Sequence, residues 1–404
     1  MKLINFFHSL NKEILSFLDH LTEQKLKIAL ISYYFEPPVT SGVGVHTKFL
    51  AEYIAKNNCE VHVFCSNTDY ESYKWKNIIV HNIGRTLSNV NGSLSKKRLE
   101  YFLFESEVVK AVIRENATRQ FDILHTHGSL TKAAFILKKV CGLKWVHTFH
   151  AIEKVRIKKL SKEEKYFDDL ITWGESTVNY CDGAIYVSDP IYLQGKKLYQ
   201  IKKNVVIPNG VDTNFFKYSV ITEKNILFIG RFSKEKGIEL FPEIIEKVMK
   251  IENATITILT PYNALPKDMK NIYDKIQVYK KKYEKRVKII TKSMTQEDIA
   301  GLYKNCQVYI QPSKYESFGL CIIEAMATGR PVVAFKVGGI PDLIGNCGFI
   351  VNNKENFLSK IEELLNNKQL CIEIGEKARI RAKIFEWDGI AKTTIDFYRE
   401  ALNE

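Results

Sequence analysis

The chain has 404 residues, of which 45% are hydrophobic and 26% charged. That length is more than one ordinary core needs and suits two domains, and the composition excludes a disordered chain. Lys and Arg outnumber Asp and Glu by 59 to 46, a net charge of +13, which favours anionic partners such as nucleotides, nucleic acid or acidic lipid without choosing among them.

Residues 2–23 carry Leu, Ile and Phe at three- and four-residue spacing and predict an amphipathic helix. Its polar face mixes Lys2 and Lys12 with Glu13 and Asp19, so docking on protein is the plain reading and a membrane interface the sharper one. After Lys25 the pattern becomes strand–loop–helix. "KIALISYYF", "EVHVFCS", "FDILHTH", "KWVHTFH" and "GAIYVS" read as strands with helical segments between several of them. "NVVIPNGVD" reads as a hinge. A second series follows with "NILFIGR", "ATITILT", "VKIIT", "CQVYIQPS" and "PVVAF". The fold class is therefore α/β, with two Rossmann-like domains whose parallel sheets face each other across a cleft. Residues 1–24 form the leading helix, 25–207 the first domain and 208–385 the second. By analogy with folds of this kind, 386–404 cross back to the first. Ligands are expected at the carboxyl ends of the strands.

The eight cysteines are scattered, with no C-x-x-C, and read as reduced thiols of a cytoplasmic protein. No apolar run approaches the about 18 residues of a membrane span. The N-terminus lacks a signal-peptide pattern.

The most informative stretch is "SKYESFGLCIIEAMATGRPVVAF". It predicts a strand, a turn and a helix starting near Phe318 or Gly319. Backbone N–H groups of Phe318, Gly319 and Leu320 would then face the cleft and bind phosphate. Glu316 stands at the mouth of that helix and Glu324 inside it. Two carboxylates around an anion site suit a sugar nucleotide, with ribose at one acid and hexose at the other. A capping glutamate plus a solvated one is the bland reading, and it loses ground to the neighbouring motifs. "GRFSKEKG" follows a strand and offers Arg231 and Lys236 to a diphosphate. "TSGVGVHTKFL" puts Gly42 and Gly44 where a helix start approaches a ligand. It is not the dinucleotide fingerprint, and no P-loop occurs.

All nine histidines lie at or before His150. His125, His127, His147 and His150 fall at two strand ends, and His150 has the position of a cleft residue. No carboxylate or thiolate lies beside them in sequence to complete a metal site, and no D-x-D occurs to hold a divalent cation against a diphosphate. No metal and no other cofactor is expected.

"IPNGVD", "GRFSKEKG", "PSKYESFGLCIIEAMATGRPVVA" and "VGGIPDLI", in this order, resemble the family 4 retaining glycosyltransferases of the GT-B fold. The resemblance runs from about Lys25 to the C-terminal helix. It implies Glu324 on the ribose hydroxyls and Glu316 on the donor sugar. Arg231 and Lys236 would meet the diphosphate, and the backbone of Phe318, Gly319 and Leu320 would support sugar and phosphates. His150 would lie near the transferred sugar, and Gly42 in the first glycine loop. The resemblance also implies a base contact near Thr291 to Met294, with Ser293 and Met294 as donor contacts. One departure is Ser41, where the family often has a first glycine.

The expected partners are a nucleotide-sugar donor and a glycan, lipid-linked or small-molecule acceptor. The lysine-rich residues 153–165, with "LSKKRLEYF", could face an anionic membrane surface and make the protein peripheral there; a solvated surface is the plainer reading. A sugar-nucleotide 2-epimerase of the same fold is the rival enzyme, but no clear carboxylate set for elimination stands out in the first domain. A nucleic-acid-binding protein is the rival of another class. The basic residues are too dispersed for it, and no nucleic acid partner is expected.

Overall fold

The computed structural model describes residues 25–35, 41–67, 72–84, 94–156, 174–261 and 269–403. The helix expected over residues 2–23, and residues 157–165 of the lysine-rich segment, lie outside the described residues.

The first sheet contains β1 (Lys27–Ile31), β2 (Glu60–Asn67), β3 (Ser72–Trp75), β4 (Ile78–Gly84), β5 (Ile123–His127), β6 (Lys144–Phe149), β7 (Gly183–Tyr186) and β8 (Lys203–Val206). Their order is β3-β4-β2-β1-β5-β6-β7-β8. The second sheet contains β9 (Asn225–Ile229), β10 (Thr255–Leu259), β11 (Val287–Ile290), β12 (Val308–Gln311), β13 (Val332–Phe335) and β14 (Phe349–Val351), ordered β11-β10-β9-β12-β13-β14. Ile28, Leu30, Ile226 and Phe228 are fully buried, because helices cover both faces of each sheet.

Parallel pairing holds everywhere except at one edge, where β3 runs antiparallel to β4. The two expected Rossmann-like domains with parallel sheets are present, and this edge strand is an addition to the first of them. β3 alternates exposed and half-buried residues and carries Lys74, as suits an edge strand.

Strand order reverses at β1/β5 in the first sheet and at β9/β12 in the second. Such reversals open crevices at the carboxyl ends of the strands, where the two helices leave on opposite faces. Both crevices face one another. The last helix, Trp387–Leu402, returns to the first sheet. Ile390, Ile395 and Phe397 share a core with Ile28, Leu30 and Val61, and the Tyr398 hydroxyl lies 2.6 Å from His125 Nδ1.

Candidate active site in the cleft

Between the sheets lies a cavity of about 1250 Å³. Residues at and beyond the carboxyl ends of β1, β5, β6, β8, β9, β10, β11 and β12 line it.

The helix Leu320–Ala327 begins one residue after Gly319, within the expected range. Gly319 has φ +106°, a backbone shape that side chains disfavour, and this lets the chain turn sharply into the helix. Phe318, Gly319 and Leu320 line the cavity. Glu316 and Glu324 line it as well, eight positions apart, one before the helix and one within it.

Arg231 and Lys236 reach the same space, and each already has a carboxylate. Lys236 Nζ lies 2.7 Å from Glu316 Oε2. Burial pulls the Lys236 ammonium down, but Glu316 and Glu235 outweigh it and hold the pKa above its ordinary value. Arg231 Nη2 donates to Glu235 Oε2 at 3.0 Å and keeps 55% of its side chain exposed. Glu235 escaped the sequence reading, although it lies inside "GRFSKEKG". It also faces Arg156 of the first domain at 3.8 Å.

Glu324 sits half-buried with its Oε2 accepting from the Tyr303 hydroxyl at 2.8 Å. Burial raises its pKa to about 7, and the tyrosine opposes part of that rise. Tyr303 lies on another helix, Gln296–Lys304, and nothing local in sequence joins it to Glu324.

The first glycine loop behaves differently from expectation. Ser41 caps the helix Gly42–Lys56, its Oγ accepting from Gly44 N at 3.1 Å. The serine found where a glycine was the family's habit thus has a structural task. Gly42 lines the cavity, and a Cβ built there would lie 3.4 Å from Leu320 Cδ1 of the other domain. Gly44 is buried in the helix and is not among the lining residues. Ser293 and Met294 line the cavity beyond β11.

Among the described residues, two first-domain carboxylates line the cavity, which corrects the reading that none stood out there. They are Glu153 and Glu175. Neither is free. Glu175 accepts the backbone N–H groups of Glu153 at 2.8 Å and Lys154 at 3.2 Å, and the Tyr199 hydroxyl at 2.6 Å. Glu153 holds Arg156, with Oε2 2.7 Å from Nη2. This clamp turns Glu153 and Arg156 into the cavity. The described part of the lysine-rich segment is therefore partly a cleft wall, in place of the solvated or membrane-facing surface expected for it.

His150 and the buried His147 both line the cavity. Burial lowers the pKa of each to about 3, so both imidazoles are neutral. Among the described residues, two groups bring three potential metal ligands within 4.8 Å: His46, His127 and His150, and His62, His81 and Glu115. In the second group His62 and His81 bond each other at 2.9 Å, and Glu60 and Ser72 take their outer nitrogens. In the first, no carboxylate among the described residues bonds a ring from behind, the support that metal-ligating histidines usually have. All eight cysteines are free thiols.

Two α/β sheets facing each other across a cleft lined by the carboxyl ends of their strands are the architecture of the GT-B fold. Residues 40–215 match the family described as Glycosyltransferase Family 4, and residues 223–367 match Glycosyl transferases group 1. The chain belongs to the family 4 glycosyltransferases of the GT-B fold. It is 25% identical over 393 residues to the D-inositol 3-phosphate glycosyltransferase of Paenarthrobacter aurescens, covering 90% of this chain and 93% of the relative. Among solved structures it resembles sucrose-phosphate synthase from Thermosynechococcus elongatus, with a TM-score of 0.79, 22% identity, and 93% and 99% of the two chains covered. It also resembles Anabaena HepE in complex with UDP and glucose, with a TM-score of 0.69, 18% identity, and 93% and 100% covered.

Proposed function

We propose that this glycosyltransferase moves a hexose from a nucleoside diphosphate sugar to a hydroxyl of a glycan, lipid-linked or small-molecule acceptor. Anomeric configuration is retained and no metal takes part. The observation that carries the reading is the convergence of Lys236, Arg231, Glu316 and Glu324 on one helix mouth.

In this reading Glu324 takes the ribose hydroxyls and Glu316 the sugar hydroxyls. Arg231, Lys236 and the N–H groups of Phe318, Gly319 and Leu320 face the diphosphate. As the anomeric C–O bond breaks, its electron pair goes to the β-phosphate oxygen. The acceptor hydroxyl adds on the same face, and its proton passes to that oxygen. The cations and the helix start stabilise the growing negative charge most where it is largest, in the transition state. Glu153 and Glu175, the first-domain carboxylates of the cavity, are both committed to other partners, which disfavours a covalent glycosyl intermediate on either. The same commitment disfavours a 2-epimerase.

Incubation with UDP-, GDP- and ADP-sugars tests the reading. Transfer or slow hydrolysis of one donor, with the product retaining the donor's configuration by NMR, is the expected result. An inverted product, or an epimer formed from the donor alone, would overturn it.

A further inference from the structure

His127 ends β5 and His150 follows β6, its neighbour in the sheet. His127 Nδ1 lies 3.1 Å from His150 Nε2. His46, on the helix Gly42–Lys56, stands edge-on to the His150 ring with centroids 4.6 Å apart. His127 is 1% exposed and its Nε2 has no hydrogen-bond partner. Burial lowers the pKa of His46, His127 and His150 alike, so the three rings share no extra proton.

One hydrogen thus lies between His127 and His150, and the surroundings decide which ring supplies it. Were His150 the donor, His127 would carry its own proton on Nε2, a buried N–H without an acceptor. Such orphaned donors are rare and cost about 1–3 kcal/mol. Were His127 Nδ1 the donor, Nε2 would keep only a lone pair, the less severe defect. His125 cannot relieve Nε2, because its two nitrogens already meet Tyr398 and Thr148.

We infer that His127 is a positioning residue that donates from Nδ1 to His150 Nε2, so that His150 turns an Nδ1–H donor toward the cavity. His150 is then a hydrogen-bond donor to its ligand and cannot serve as a general base, since its one lone pair is taken. The ligand would be an oxygen of the transferred sugar, a point that rests on the glycosyl-transfer reading; the tautomer itself does not. The sequence offers no sign of this, because His127 and His150 are 23 positions apart and meet only across parallel strands.

The test is long-range ¹H–¹⁵N NMR of the full chain labelled at histidine, with His150 assigned through His150→Gln. The expected spectrum has neutral His150 protonated at Nδ1 near pH 7. His127→Phe should release it to a mixture with the Nε2 form, and His127→Asn, whose amide still donates, should keep it. With the donor sugar nucleotide, kcat/KM should fall about tenfold in His127→Phe and far less in His127→Asn. A wild-type His150 protonated at Nε2, or a His127→Phe variant with an unchanged tautomer, would overturn the assignment. Absence of any sugar-nucleotide turnover would instead count against the transfer reading, while the NMR spectrum still decides the tautomer.

Discussion

Lys236 Nζ and Glu316 Oε2 stand 2.7 Å apart at the mouth of the Leu320–Ala327 helix, with only 16% and 14% of their side chains exposed. Each keeps the other charged in a place where a lone charge would be expensive. In the proposed function, a diphosphate entering the cavity would meet an ammonium already largely desolvated, leaving little reorganisation for the reaction. Lys236→Ala should lower kcat/KM about 100-fold or more, in the range seen for loss of a donor to a developing anion. Glu316→Gln should lower it too, and the double variant should lose less than the sum, because the two act as a unit. Steady-state kinetics of the three variants checks this.

Burial penalises the charge of Glu324 and raises its pKa to about 7. A ribose diol donating two hydrogen bonds favours the ionised form. Ligand then has to drive a proton off below pH 7. Donor affinity should therefore fall as pH drops from 7, by up to tenfold per unit, and be flat above it. Calorimetry of the productive nucleotide sugar between pH 5.5 and 8.5 reads this out. Glu324→Gln should bind more weakly at pH 8 and lose that slope.

Gly338 has φ +51°, and a Cβ there would collide with the Glu316 carbonyl oxygen. The "VGGIPDLI" turn is thus packed against the backbone that carries Glu316, and Gly339 N donates to the same carbonyl at 3.1 Å. Gly338→Ala should shift that loop and raise the donor KM at least tenfold, with a loss of about 1–3 kcal/mol of stability. Urea melts alongside kinetics separate the two effects.

Arg330 is fully buried, and among the described residues no carboxylate pairs with it. Its guanidinium donates to the carbonyls of Tyr303 at 2.9 Å, Ser219 at 2.9 Å and Lys304 at 3.1 Å. It ties the end of the helix bearing Tyr303 to the loop after the hinge. Arg330→Ala leaves several acceptors without donors and should cost about 3 kcal/mol or more. A lower urea midpoint checks it, and Arg330→Lys should recover only part.

Much of the architecture is legible in the sequence because buried parallel strands read as continuous apolar runs, as in "NILFI" and "KIALI". The helix mouth is legible because strand, turn, glycine and helix are contiguous in the chain. β3 is not, since a half-exposed edge strand has no such run. Tyr303, Glu175 and Arg156 give no sign in the sequence of being site neighbours. Each depends on a contact between segments distant in the chain, such as the carboxylate of Glu175 capping the turn that holds Arg156. Ser41 is a simpler case. Comparison with the family's glycine hides its role, whereas a serine directly before a helix start is itself the signal of a cap.

In the proposed function, protein cations and a helix start hold a diphosphate here without a metal ion. Calorimetry of UDP, GDP and ADP in EDTA, repeated with Mg²⁺, tests it most directly when Arg231→Ala is run beside the wild type. We expect one nucleotide to bind equally well in both buffers and at least tenfold more weakly to the variant. Binding that appears only with Mg²⁺, or that is indifferent to Arg231, would contradict the claim.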